Sequence, residues 1–412
     1  MMQPKLVTDS FDHYLLAIWL LQVSLVLGLA CSNPNHYTTV DSRYYLEGAQ
    51  NILNGKGYKV LQNGVLSWNS TFPIGYSISI AAMAQITGLS VLWASKCVNL
   101  AASALLLYCF RHWFGPYRAV LMGSLLLSGP FIKLWAHSWS EPLFLLVVIS
   151  WHRGYTLFLE KKSVNLALIS LLLGVLLFVV RYAGVFILPF VILQGIVKLR
   201  HHYRCGTREG AHLQVLIICG WTFSMMAYLF YNYLQSGSYY GGDRFSVTSE
   251  ATAIFGPWSW PDIALWANVW SNYPPPWKEV IYFSRCFQIL LGLYVIFRIL
   301  RRWEPMSQTI SRWVWQLASL GFVYLIFLFI LRIYSPFDQL GYRLLAPFTS
   351  LICWALLISI STQTLSRKLH FMGLVILLIS WITLLPVSPQ GILRLQLMTG
   401  QSLPSKSDYR MP

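Results

Sequence analysis

The chain has 412 residues, of which 56% are hydrophobic and only 11% are charged. This is too little polar surface to cover a water-soluble fold, so the composition predicts a protein embedded in lipid. The formal net charge is +16, but the basic residues lie in short connections between apolar blocks. There they indicate membrane topology and contact with anionic membrane lipids, so we expect no nucleic-acid partner.

The apolar residues fall in separate blocks of about 17–22 residues, the length of a helix that crosses a hydrocarbon core of ~30 Å. The sequence therefore predicts an all-α fold, a polytopic transmembrane helix bundle that forms one domain over residues 1–412. The eleven predicted spans lie at 14–32, 91–110, 119–132, 141–158, 164–180, 183–199, 213–234, 281–300, 313–333, 343–361 and 369–386.

Basic residues in the short connections set the predicted orientation. They all fall on one side of these spans, which the positive-inside rule assigns to the cytoplasm together with the N-terminus. The opposite, outer face then carries two long loops, 33–90 and 235–280, the second rich in Trp and Pro. Segment 72–89 is predicted to lie in the membrane interface, since a further span there would put the next basic loops on the wrong side. Residues 387–412 are a predicted C-terminal tail.

The first outer loop begins with an acidic residue in a helical pattern. Tyr45, Ala49 and Ile52 share one face of a predicted helix that starts near Asp41 and ends at Gly55-Lys56-Gly57. Asp41 would place a carboxylate at the outer surface of the membrane. The alternative is a helix N-cap, since a carboxylate there accepts backbone N–H bonds and favours the helix dipole.

A second carboxylate is predicted on the same face. Trp139-Ser140-Glu141-Pro142 opens a span, and a charge near a span is costly enough to be kept for a partner or a ligand. Its alternative role is to cap the helix ahead of Pro142. His137 lies four residues before Glu141 and is a candidate site residue, with a structural histidine as the alternative.

Two arginines are predicted at outer ends of spans. Arg181-Tyr182 lies between two spans, and Gly341-Tyr342-Arg343 begins another. A guanidinium at this boundary either reaches lipid headgroup phosphate or binds a substrate phosphate through two parallel hydrogen bonds. Lys56 is a further cation, with a solvated loop charge as its alternative role. Arg332 is another, although it could equally pair with Asp338.

In their order along the chain, these segments resemble the glycosyltransferase C superfamily, in the branch of the protein O-mannosyltransferases and the bacterial aminoarabinose transferase. Family members have an acidic residue after the first span and then a Pro-Gly-Tyr-type juxtamembrane helix, which Asp41 and Pro73-Gly75-Tyr76 resemble. Ser140-Glu141 matches the acidic position between the third and fourth spans, Arg181-Tyr182 the Arg-Tyr motif after the fifth, and Arg343 to Pro347 the Arg-Leu-Leu-x-Pro stretch. The resemblance covers roughly residues 10–360.

The resemblance implies a membrane enzyme that transfers a sugar from a polyprenyl-phosphate donor to a lipid, glycan or protein acceptor on the periplasmic or luminal face, with inversion. It implies catalytic roles for Asp41, as general base, and Glu141. Donor phosphate would be bound by Arg343, Arg181 and Lys56, and the site would be lined by Tyr45, His137, Tyr182 and Tyr342. The absence of a retention signal favours a bacterial inner membrane.

A cofactor is not required by this resemblance, and a divalent metal is left open. Ser42 stands where many relatives have a second acid, which puts a two-carboxylate metal site in doubt. The main alternative function is a transporter or flippase of lipid-linked sugars, which needs charges near the bilayer midplane. The ionisable residues instead favour span ends, with Lys96 as a near-end exception. A structural or assembly factor would place no demand on Asp41.

Overall fold

The computed structural model describes residues 5–62, 64–205, 211–241, 277–301, 306–334, 342–363 and 367–384. Within these ranges the chain forms fourteen α-helices and one short β-hairpin. The helices of the first half are α1 (Lys5–Ser32), α2 (Val40–Leu53), α3 (Gly75–Thr87), α4 (Val91–Phe114), α5 (Pro116–Ser124), α6 (Gly129–Ala136) and α7 (Glu141–Lys161).

The second half continues the bundle, and each of the predicted spans overlaps a helix. Its helices are α8 (Val164–Val180), α9 (Ile187–Cys205), α10 (Ala211–Ser236), α11 (Trp277–Leu300), α12 (Gln308–Tyr334), α13 (Tyr342–Ile360) and α14 (Arg367–Ser380). Short 3-10 helices occupy Leu125–Leu127, Tyr182–Phe186 and Trp381–Leu384.

Six described helices are long and apolar enough to cross a membrane, namely α1, α4, α7, α10, α12 and α13. Helix α8 and the segment Tyr182–Ile196 are apolar but shorter. These helices make the chain an integral membrane protein. The predicted total of eleven spans is not confirmed by this count, which rises to seven if one bent pair of helices is a single span.

That bent pair corrects the prediction of one continuous span at 119–132. Residues Pro116–Leu127 and Gly129–Ala136 meet at 72°. Ser128 has an extended backbone at the break, and Pro130 falls in the first turn of α6, the place where its missing N–H is not needed. The side chain of Ser380 accepts the free N–H of Gly129 at 2.9 Å. Apolar composition predicted the block, but the change of direction depends on this local backbone chemistry.

The first loop folds into α2, a hairpin and α3. Helix α2 confirms the predicted face, since Tyr45 and Ala49 are buried against α3 and α4. After α2, Gly55 and Gly57 adopt φ of 72° and 77°, the left-handed conformation that glycine tolerates best. Strands β1 (Lys59–Gln62) and β2 (Val65–Trp68) then pair antiparallel, a departure from the all-α prediction.

Helix α3 begins in close contact with the end of α8. A Cβ at Gly75 would lie 2.7 Å from the carbonyl oxygen of Val179, so only glycine permits this approach. The contact fixes the first loop beside the residue that follows α8. The interfacial location of segment 72–89 stays a prediction. Much of the 235–280 loop, residues 242–276, and the predicted tail at 387–412 lie outside the described residues.

Candidate functional site

Four charged side chains from four separate elements meet in one cluster. Asp41 lies in the first turn of α2, Glu141 is the first residue of α7, Arg181 follows α8, and Arg343 lies in the first turn of α13. Arg343 Nε donates to Glu141 Oε1 at 2.6 Å, and Arg343 Nη1 pairs with Asp41 Oδ2. Arg181 Nη1 pairs with the same Glu141 Oε1. We call these residues the charged cluster, and the end of the bundle that holds them the site end.

Glu141 is the centre of the charged cluster. Its side chain is 0% exposed and contacts both guanidinium groups. A buried carboxylate is costly unless it is paired and hydrogen-bonded, so the two arginines are what permit its burial. Glu141 is not the N-cap of α7, because Ser140 occupies that position. The carboxylate of Glu141 contacts the two arginines instead.

Asp41 is the accessible carboxylate, with 34% of its side chain exposed. It does not cap α2 either, since the side chain of Thr39 accepts the backbone N–H of Ser42 at 3.4 Å. The position of Asp41 in the first turn still benefits from the helix dipole, which favours negative charge. The two carboxylates therefore lie in different environments: Glu141 is enclosed and Asp41 is accessible.

The short segment 137–140 supports the cluster from one side. The ring of Trp139 lies under Arg343, with 4.4 Å from the ring centroid to Cζ, and His137 stacks on Trp139 at 3.7 Å. Burial lowers the pKa of His137 from 6.5 to about 3, so the ring is neutral. Tyr45 and Ser140 share a hydrogen bond of 3.1 Å, and burial followed by the charge of Glu141 raises the pKa of Tyr45 to about 12. Both predicted lining residues, Tyr45 and His137, thus adjoin the charged cluster.

Other predicted site residues lie elsewhere. The Tyr182 hydroxyl donates to the carbonyl of Ser70 at 2.8 Å and accepts from Asn232 at 2.8 Å, which ties the first loop to α10. Lys56 is exposed in the turn after α2, and no carboxylate of the described residues pairs with it. Tyr342 begins α13, but its side chain lies outside the described residues, as do those of Arg332 and Asp338.

Lys96 has a role that the sequence did not predict. It is fully buried, and its Nζ donates to the carbonyl of Ala136 at 2.6 Å and to the hydroxyl of Ser138 at 2.8 Å. Asn99, one turn later on α4, donates to the carbonyls of Trp135 and His137. A stripe of polar residues at helical spacing in an apolar helix was the available signal.

The charged cluster has two carboxylates and no third metal-binding side chain among the described residues. No group of three or more His, Cys, Asp or Glu side chains with metal-binding geometry occurs in the part of the chain that the structure describes. Ser42 is fully buried and shares a 3.2 Å hydrogen bond with the side chain of Thr39. Arg181 and Arg343 both contact Oε1 of Glu141, and Arg343 also pairs with Oδ2 of Asp41.

Comparison with known proteins gave similarity at the level of structures alone. No family model and no curated protein sequence matches the chain. The crystal structure of ArnT from Cupriavidus metallidurans bound to undecaprenyl phosphate is similar with a TM-score of 0.49 and 12% identity over 88% of this chain. ArnT of the same organism in the apo state gives a TM-score of 0.47 and 14% identity over 89% of this chain. This chain spans 61% of the ArnT chain in both cases.

Proposed function

We propose that this chain is a membrane glycosyltransferase that moves a sugar from a polyprenyl-phosphate donor to an acceptor hydroxyl, with inversion at the anomeric carbon and with Asp41 as the general base. The observation that carries the proposal is the charged cluster. Two guanidinium groups and two carboxylates are gathered from four elements at one end of an apolar bundle, with one carboxylate enclosed and the other reachable. The guanidinium groups suit an anionic lipid phosphate, and the reachable carboxylate suits an acceptor hydroxyl that must lose a proton.

Asp41 suits the base because it is the reachable carboxylate. Its carboxylate takes the proton of the acceptor hydroxyl while the acceptor oxygen bonds to the anomeric carbon. The bond from that carbon to the phosphate oxygen breaks on the opposite side, and polyprenyl phosphate leaves with the bonding electrons. No covalent sugar intermediate is needed, so one carboxylate suffices.

In this proposal, Glu141 positions the two arginines. Enclosed between Arg181 and Arg343, it holds two cations in fixed positions before the donor arrives. Charge develops on the phosphate as the sugar leaves, and preorganised cations stabilise that charge more than mobile ones. The phosphate competes with Asp41 for Arg343, so donor binding frees the carboxylate that the acceptor needs. Lys56 stays a predicted phosphate contact, for which Lys56→Ala is the variant to measure.

The donor class rests on the family resemblance and on the position of the cluster in an apolar bundle. Undecaprenyl phosphate, the ligand bound in one of the ArnT structures, is the carrier to test first. We further propose a bacterial inner membrane with the site end on the periplasmic side, and an acceptor that is a lipid, a glycan or a protein.

The test is sugar transfer by purified protein in nanodiscs, with a panel of radiolabelled polyprenyl-phosphate sugars. Wild-type protein should form product, and Asp41→Asn should lower kcat by about 10²–10⁴-fold, the size of a lost general base. Asp12→Asn is the matched control, because Asp12 forms an exposed ion pair with Arg111, and it should keep wild-type turnover. If the labelled lipid crosses the proteoliposome membrane without forming product, and its transport rate is the same in Asp41→Asn, the protein would be a flippase instead. Full in-cell activity of Asp41→Asn would favour a structural factor.

A further inference from the structure

We infer that Trp139 is a positioning residue that fixes the guanidinium plane of Arg343, and that it does so through its ring face. The inference rests on the proposed role of Arg343 in binding the donor phosphate. Trp139 is 5% exposed, and the Arg343 Cζ lies 4.4 Å from its ring centroid. A guanidinium at this distance from an indole face is attracted by the ring quadrupole, most strongly where water is excluded.

The ring face of Trp139 matters because Arg343 contacts two carboxylates at the same time. Its Nε reaches Glu141 and its Nη1 reaches Asp41, which requires one orientation of the guanidinium plane. Arginine has many rotamers, and its planar fork binds in two-point geometry when the plane is held. The Trp139 ring lies beneath the guanidinium carbon, while Nε and Nη1 of Arg343 contact the two carboxylates.

Trp139 also packs against the ring of His137, which in turn contacts Tyr37. His137 lies parallel to Trp139 at 3.7 Å, and Tyr37 meets His137 edge-on at 4.8 Å. Burial lowers the pKa of His137, so its ring in this stack is neutral. A protonated imidazole would add a fourth positive charge to a region that already holds Lys96, Arg343 and Lys133.

Trp139 also connects the arginine to the loop that carries Asp41. Its Nε1 donates to the hydroxyl of Thr39 at 2.9 Å, and Thr39 is the N-cap of α2. One side chain thus contacts Arg343 through its face and the helix of Asp41 through its edge. Lys96 and Asn99 hold the backbone of the same segment from α4, so the ring stands on a fixed support.

Two variants separate the face from the edge. Trp139→Phe keeps an aromatic face but loses the indole N–H, whereas Trp139→Gln keeps a hydrogen-bond donor for Thr39 but has no ring. Thr39→Val removes the acceptor of that bond and leaves the ring in place. Trp139→Leu is the second ringless variant, for use where Trp139→Gln does not yield folded protein.

The first readout is a cryo-electron microscopy map of each variant in nanodiscs, which needs no knowledge of the substrate. The ringless variants should show Arg343 displaced from Asp41 or spread over several rotamers, while Trp139→Phe and Thr39→Val should keep it. An unchanged Arg343 in a ringless variant overturns the inference, whatever the enzyme transfers.

The second readout is the donor KM against kcat with the active polyprenyl-phosphate sugar. A ringless variant should raise the donor KM by about 30-fold, the size of one desolvated cation–π contact, with little change in kcat, and Trp139→Phe should restore most of the wild-type value. A fall in kcat with an unchanged KM would contradict a positioning role at the phosphate. Absence of transfer by wild-type protein would remove the proposed function, and the map would still decide the role of Trp139.

Discussion

The two ends of the bundle both carry arginine–carboxylate pairs, but they use them differently. At the site end, the pairs of the charged cluster are shared, with Glu141 contacting two arginines at 0% exposure and Asp41, at 34% exposure, contacting one of them. At the opposite end, which we call the basic end, Arg111 pairs with Asp12 and Arg312 with Glu160, and the side chains are 32% to 57% exposed. Helix α7 carries a member of each set, because Glu141 begins it and Glu160 lies in its last turn, about 28 Å further along the axis.

This difference teaches that exposure, more than residue type, separates function from topology. Exposed pairs contribute about 0–1 kcal/mol to stability, so those at the basic end need no role beyond that of solvated surface charges. A buried ion pair is a poor source of stability, because its desolvation cost offsets the attraction between its charges. A cluster of four charged residues around the buried Glu141, at the start of three helices and the end of a fourth, therefore needs another reason, and substrate binding supplies one.

The largest effect is expected from neutralising the enclosed carboxylate. Glu141→Gln leaves two buried guanidinium groups without their shared anion, which should cost about 3–5 kcal/mol in the free energy of unfolding. Scanning fluorimetry of purified protein in detergent should report a clear fall in Tm. Glu160→Gln on the same helix removes only an exposed pair and should leave Tm nearly unchanged. Equal shifts in the two variants would abolish the distinction between the ends.

A smaller effect is expected from keeping the charge of Arg343 and changing its shape. Arg343→Lys retains a cation but loses the planar fork that contacts Asp41 and Glu141 together. The donor KM should rise by about 10- to 100-fold, as two-point phosphate binding is lost. Steady-state kinetics with a fixed acceptor measures this, with Arg312→Lys at the basic end as the control. A donor KM within experimental error of wild type would show that Arg343 does not bind the phosphate.

The smallest effect concerns pH. Burial lowers the pKa of His137 to about 3 in the folded protein, against 6.5 for an ordinary histidine. The unfolded chain therefore binds the proton more readily, so this contribution to stability is complete above about pH 6.5 and is lost as the pH falls toward about 3. The loss is at most about 2 kcal/mol at pH 5.

His137→Gln should accordingly flatten the fall of Tm between pH 7 and pH 5 relative to wild type. His112 is exposed near the end of α4, and His112→Gln should keep the wild-type slope. The same slope in all three proteins would mean that His137 is not buried in neutral form behind Trp139.

Much of the helical layout could be predicted because apolar blocks of membrane length have one structural solution. Each predicted span overlaps a helix, and the face of α2 defined by Tyr45 and Ala49 is buried as its spacing predicts. The break at Ser128 was missed, since composition reports that a block is apolar but not that it changes direction. The hairpin at 59–68 was missed because its strands have four residues each.

The charged members of the site could be named because acidic residues are scarce, with Asp and Glu numbering 14 in all. A carboxylate kept at the end of a span is therefore informative. Their division of roles could not be predicted, because the burial of Glu141 and the exposure of Asp41 depend on how α7, α8 and α13 converge. Trp139 and Lys96 were missed as supports for the same reason, since an aromatic residue or a lysine near a span end has commoner explanations.

We propose that the charged cluster faces the periplasm while the basic end faces the cytoplasm, and labelling of engineered cysteines measures this orientation. Val40 adjoins Asp41 and is 76% exposed, and Lys161 is exposed at the far end of α7. In a cysteine-free background, a membrane-impermeant maleimide added to intact spheroplasts should label Val40→Cys and spare Lys161→Cys until the membrane is opened. Labelling of Lys161→Cys in intact spheroplasts, with Val40→Cys reached only after lysis, would contradict the account.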